Sequence, residues 1–209
     1  MDARQHNTAE ALRIRAQRLQ RQAEAIIERL RVRERWRRVG QVFLVGSARF
    51  GLMIAGNIDF EVYCDKPDAV SGNAVMREIA ATPGVTGLQA HDFMDTADPG
   101  LYWRLDYQGE DGGRWDFDIW LVPNSHPHAG MADALARAMS TALTPRLRAD
   151  ILMLKAGLAA RAKAQCASPP RGIDIYRAAL AGNVRDLPGF DAWQARNPPP
   201  DMETWRPGP

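Results

Sequence analysis

The sequence predicts an α/β chain with a long basic helix first, a strand-rich centre, and a helical C-terminal region. Three observations carry this. Residues 42–65, VFLVGSARFGLMIAGNIDFEVYCD, read as strand, tight turn, short helix and strand. Leu101–Tyr107 and Trp115–Val122 flank a connector rich in turn residues and read as a hairpin. Residues 8–38 and the chain from Pro127 onward carry helical patterns.

Composition bounds the class. The chain has 209 residues, 45% apolar and 25% charged, as in a globular protein with a real core. It contains no apolar run of membrane-spanning length, and the charged N-terminus lacks the apolar stretch of a secretory signal. Cys64 and Cys166 form no disulfide framework or metal spacing, which suits buried free thiols in a reducing cytoplasm. The expected location is therefore cytoplasmic, with no membrane partner.

Charge is uneven. Residues 1–40 carry a net +6 and the remainder −4. The basic excess belongs to one predicted helix over 8–38, with Asn7 as cap and Glu10 as its capping-box partner. Leu12, Ala16, Leu19, Ala23, Ile26 and Leu30 form one apolar stripe, spaced four and three apart. That stripe would pack on its own domain or on a second subunit, so a homodimer is open. The arginines on the other faces are a solvated face or a platform for nucleic acid. No aromatic residue interleaves with them before Trp36, which argues against a stacking surface for single strands.

Gly40 ends that helix. Beyond Asp65, Pro67 suits a first helical turn, and 68–81 reads as a helix ending before Pro83 and Gly84. Val85–Asp92 reads as a strand and 96–100 as a loop. Met131–Leu143 and Pro145–Ala164 read as helices, the second capped by Thr144 with Pro145 at its first position. Ile173–Ala181 and Pro188–Ala195 are shorter helices separated by Gly182. The tail from Asn197 holds three consecutive prolines and cannot be regular helix; Trp193 and Trp205 could anchor it. The expected organisation is a basic amphipathic helix over 1–39, a core over 40–125, a helical region over 126–196 and a Pro-rich tail over 197–209.

The candidate site lies in the centre. Gly46 and Ser47 form a turn that could present backbone N–H groups and a hydroxyl to phosphate oxygens. Asn57, Asp59 and Glu61 stand at period two, so they share one strand face. Asp116 and Asp118 do the same in the second hairpin arm, where aspartate is a poor strand former. Arg49 is a further phosphate-contact candidate. His126-Pro127-His128 could bind metal, but a loop pair lacks a third ligand.

These pieces resemble the signature of the DNA polymerase beta-like nucleotidyltransferase superfamily: an apolar strand, Gly-Ser, a short helix, an Asp-x-Asp or Asp-x-Glu strand, then a third carboxylate on a later strand. The resemblance covers about residues 40–122. It implies a nucleotidyltransferase-like mixed sheet with flanking helices. It also implies Mg²⁺ as cofactor, a nucleoside triphosphate as substrate, and in-line attack on the α-phosphorus with release of pyrophosphate. Two ions about 3.5–4 Å apart would stabilise the attacking and leaving oxygens. Asp59, Glu61 and Asp118 would be the catalytic residues and metal ligands. Gly46, Ser47, Arg49, Asn57 and Asp116 would bind substrate.

The sequence departs from the signature at one place. Nine residues separate Ser47 from Asn57, matching the family spacing, but an amide then replaces the first carboxylate. Eleven separate Ser47 from Asp59, slightly long, but the pair Asp59-x-Glu61 is then intact. The leading expectation is transfer to a hydroxyl of a small-molecule acceptor, as in the antibiotic nucleotidyltransferases. The alternatives are a degenerate binding module and an RNA-directed transferase.

Overall fold

A computed structural model describes residues 3–198, with side chains from residue 7; the predicted tail anchor Trp205 lies outside the described residues. The chain forms two compact units. One gathers 19–49 and 55–133; the other gathers residues up to 18, 50–54 and 134 onward.

The first unit is built on a five-stranded mixed sheet. Its strands are β1 (Gln41–Val45), β2 (Asn57–Cys64), β3 (Val85–Asp92), β4 (Leu101–Gln108) and β5 (Arg114–Pro123), in the order β1-β2-β5-β4-β3. β2 and β5 are parallel, and the other pairs are antiparallel. One face is apolar: Ile58, Phe60, Leu105, Phe117 and Ile119 are fully buried. Helix α4 (Ala69–Ala80) follows β2, and Asp68 caps it by accepting from Val70 N at 3.1 Å and Ser71 N at 2.8 Å. The cap is thus one residue past Pro67, the proline expected in the first turn. Gly72 on α4 admits the ring of Trp103, since a Cβ there would come within 2.2 Å of it. That ring lies 5.3 Å from Trp36 and donates to Asn73 Oδ1 at 2.8 Å.

The long N-terminal helix departs from expectation at both ends. Helix α1 (Ala3–Arg29) begins ahead of Asn7, so Asn7 is not its cap. It stops at Arg29, and Arg31 takes a left-handed φ of 49° before the short α2 (Val32–Trp36). The break lets Leu30, Val32 and Trp36 all be fully buried, which one straight helix could not do with that spacing. The apolar stripe is covered within its own chain: Ala16, Ala23, Ile26 and Leu30 are buried. Many arginines are locally neutralised. Arg13 pairs with Glu10, Arg33 with Glu24 and Glu28, and Arg38 with Glu78.

The other unit is helical. Its helices are α5 (Met131–Ala142), α6 (Pro145–Ala164), α7 (Gly172–Ala181) and α8 (Leu187–Arg196); the short α3 (Gly46–Phe50) falls almost wholly in the sheet unit and is described with the site below. Thr144 caps α6 by accepting from Leu147 N at 3.2 Å, with Pro145 at the first helical position. Its core includes Met139, Ile151 and Tyr176 in one cluster and Leu154, Phe190 and Trp193 in another. The buried Lys155 donates to Leu52 O at 2.8 Å, which satisfies a charge that burial would otherwise penalise. Among the described residues no helix is long and apolar enough to cross a membrane.

Candidate active site

The face of the sheet opposite the apolar one carries the predicted residues. Strand alternation places Asn57, Asp59 and Glu61 of β2 on it, with Asp116, Asp118 and Trp120 of β5 beside them. The parallel register pairs Asn57 with Asp116, Asp59 with Asp118, and Glu61 with Trp120. Asp59 and Asp118 therefore stand side by side at the centre of the sheet.

Gly46 opens α3 directly after β1, and its φ of +63° favours glycine. A Cβ on Gly46 would come within 2.3 Å of Asp59 Oδ2, so the Gly-Ser turn lies against that carboxylate. Ser47 is half-buried in the same turn. α3 is only five residues long, so its dipole is short.

Asn57 organises the carboxylates. Its Nδ2 donates to Asp116 Oδ2 at 2.8 Å and to Asp118 Oδ2 at 2.9 Å. Two like charges held this close repel unless a donor lies between them, and the amide supplies it. The two aspartates differ in their remaining partners. Asp116 Oδ2 also lies 3.8 Å from Arg104 Nη2. Asp118 Oδ1 accepts a hydrogen bond from the Tyr102 hydroxyl. Both oxygens of Asp118 are thus held, and burial together with that bond drives the Tyr102 hydroxyl well above the usual tyrosine range.

Glu61 does not join this group. It sits one pair further along, opposite Trp120, and accepts from the Tyr63 hydroxyl. Burial pushes its carboxyl upward, opposed by the Tyr63 bond. The residues facing the β5 aspartates are Asn57 and Asp59, which is the amide-bearing register of the two the spacing allowed. Arg49 is engaged elsewhere: its Nη2 pairs with Asp133 Oδ1 at 3.3 Å, with a longer contact to Leu44 O.

Tyr102 and Arg104 escaped the sequence reading. The signal was present, since residues 102, 104 and 106 alternate with the buried Leu101, Trp103, Leu105 and Tyr107. The hairpin register sets Arg104 against Asp118 and Tyr102 against Trp120. Tyr102, Trp120, Phe93 and His91 also form an aromatic cluster on this face, with ring centroids 4.9–6.0 Å apart. Beyond it the loops bring Asp98 to His126 and His128, a third group that sequence spacing did not reveal.

No sequence profile of a known family matches the chain, and no curated protein matches it. Solved structures do. A mutant of the Cid1 poly(U) polymerase bound to MgATP superposes with a TM-score of 0.58 at 15% identity, covering 87% of this chain and 57% of that one. A cytoplasmic RNA terminal U-transferase superposes at 0.52 with 16% identity, covering 77% and 45%. A further structure of Cid1, described for its RNA terminal uridylyl transferase activity, superposes at 0.52 with 12% identity, covering 86% and 53%. The chain spans about half the length of these structures. The chain shares the fold of these structures.

Proposed function

We propose that this chain transfers a nucleoside monophosphate from a nucleoside triphosphate to the terminal hydroxyl of an RNA, releasing pyrophosphate. The observation that carries the reading is Asp59 beside Asp118, with Gly46 packed against Asp59, on a nucleotidyltransferase fold. Two structural neighbours act on RNA ends by their own descriptions, which favours RNA over the small-molecule acceptor expected from sequence. The +6 charge of residues 1–40 is in keeping with a polyanionic acceptor, although local carboxylates pair with many of those arginines.

The donor set suits Mg²⁺, which takes oxygen ligands and keeps substrate phosphates in its shell. Asp59 and Asp118 would hold it, with Asp116 alongside; Glu61, turned to Tyr63, would not. Bound there, the ion would offset charge on the triphosphate and on the departing pyrophosphate. The chain's own groups do the rest. The Gly46 turn lets the backbone come close to the phosphates, and Ser47 offers a hydroxyl to them. Asn57 and Tyr102 hold Asp118 in one orientation. A carboxylate so held can take the proton of the attacking hydroxyl.

The test uses the purified chain with Mg²⁺, each nucleoside triphosphate in turn, and either labelled RNA oligonucleotides or small polyhydroxylated acceptors. The expected result is RNA lengthening with pyrophosphate release, absent from Asp59→Ala. Pyrophosphate release with small acceptors alone would return the acceptor to the small-molecule class. Mg²⁺-dependent triphosphate binding without any turnover would make this a binding module, with Asn57 as the reason.

A further inference from the structure

We propose that Asp98, His126 and His128 form a binding site for a divalent transition-metal ion of the zinc class, distinct from the Asp59–Asp118 pair and on the Glu61 side of it. His126 and His128 lie in the loop that leaves β5, and Asp98 lies in the connection between β3 and β4. From distant loops, they bring two imidazole nitrogens and a carboxylate oxygen within 4.8 Å of one another. Imidazole and carboxylate together suit zinc, cobalt or nickel, whereas the all-oxygen set at Asp59 and Asp118 suits magnesium.

The second observation is the state of His126. Its side chain is only 4% exposed, and Nε2 lies 2.9 Å from Asp98 Oδ1. That nitrogen nonetheless makes no hydrogen bond, because the oxygen lies off the direction an N–H would take. A buried polar nitrogen with a carboxylate beside it but out of line is costly as a hydrogen bond and natural as a pair of ligands. Two ligands of one tetrahedral zinc, each about 2.0–2.2 Å from the ion, stand about 3.3–3.5 Å apart. Asp98 is 70% exposed and His128 half-buried, so both have room for the small adjustment this requires. Three protein ligands would leave the fourth position to water.

One contact opposes binding. His126 Nδ1 accepts from the His128 backbone N–H at 3.0 Å, so in the free chain the ring proton sits on Nε2. Metal loading moves that proton to Nδ1 and releases the His128 amide. Losing one neutral hydrogen bond weakens binding about five- to tenfold relative to a pre-set site. The ion would tie the loop before β4 to the loop after β5, and it would act as a staple with no part in nucleotidyl transfer.

The experiment is a calorimetric titration of Zn²⁺ into the full, tag-free, chelator-stripped chain, with Co²⁺ absorption as a readout of tetrahedral geometry. The expected result is one ion per chain at micromolar affinity or tighter, unchanged in Asp59→Asn. His128→Ala and Asp98→Asn, both at accessible positions, should each weaken binding at least about 30-fold, while far-UV circular dichroism reports an intact fold. On loading, the nitrogen NMR signals of His126 should switch tautomer. Absence of saturable binding, binding indifferent to both variants, or binding lost in Asp59→Asn would each overturn the proposal.

Discussion

The two faces of the central sheet are built from alternate residues of the same strands, yet they answer to different physics. On the covered face Ile58, Phe60, Phe117 and Ile119 lose all contact with water, and what matters there is volume. On the other face Asn57, Asp59, Asp116 and Asp118 stay half-buried, and what matters is how charge is balanced. Asn57 is the clearest sign of the difference. A residue neither large nor apolar is kept between two carboxylates because it can donate to both. A strand's period of two lets one segment supply core and candidate site together, so damage to either should be separable.

The largest separation is expected from Phe117→Ala. Emptying that buried position should cost about 3–5 kcal/mol in denaturant unfolding, while turnover per folded molecule persists. Equal losses of stability and turnover would mean that the two faces are coupled. Next comes Asp59→Asn, where shape is kept and charge removed. Turnover should fall about 10²–10⁴-fold with little change in melting temperature, measured by pyrophosphate release. A fully active Asp59→Asn protein would end the nucleotidyltransferase reading of this face.

A smaller effect is expected at the amide. Asn57→Asp removes the bridging donor and adds a charge beside Asp116 and Asp118. The metal-free chain should lose about 1–3 kcal/mol, and Mg²⁺ should restore part of it by binding more tightly than to the parent. Indifference of this variant to Mg²⁺, with melting followed across a Mg²⁺ titration, would show that the face holds no metal.

The smallest effect concerns Glu61 and pH. Burial raises its carboxyl above the ordinary range in the folded chain. Such a group holds its proton more tightly folded than unfolded, so its favourable contribution is present at low pH. That contribution is lost as pH rises through the folded-state value. Glu61→Gln should therefore melt slightly higher than the parent at about pH 7.5 and no higher at about pH 4. A gain that is the same at both pH values would show that desolvation is not what perturbs Glu61.

Much of this was legible beforehand. Alternation in 57–64 and 115–122 marked both faces of β2 and β5, and Thr144-Pro145 marked the start of α6, because these signals are local. The break at Leu30–Arg31 was not legible, since no proline or glycine marks it. Whether the stripe served a second subunit was also open; the buried Ala16, Ala23 and Leu30 show that it packs within the chain.

The sequence by itself determined which residues share a strand face, where the Gly-Ser turn must fall, and that Asp59 belongs to the candidate site in either spacing. Those are consequences of backbone period and of glycine's freedom, and both travel with the chain. Only the tertiary structure decided which β2 residues meet the β5 aspartates. It set Asn57 against Asp116 and left Glu61 to Trp120 and Tyr63. It also brought Tyr102, Arg104 and Asp118 together, and gathered Asp98 with His126 and His128. Pairing register and loop closure are relations between distant segments, set by how the whole sheet buries its apolar face.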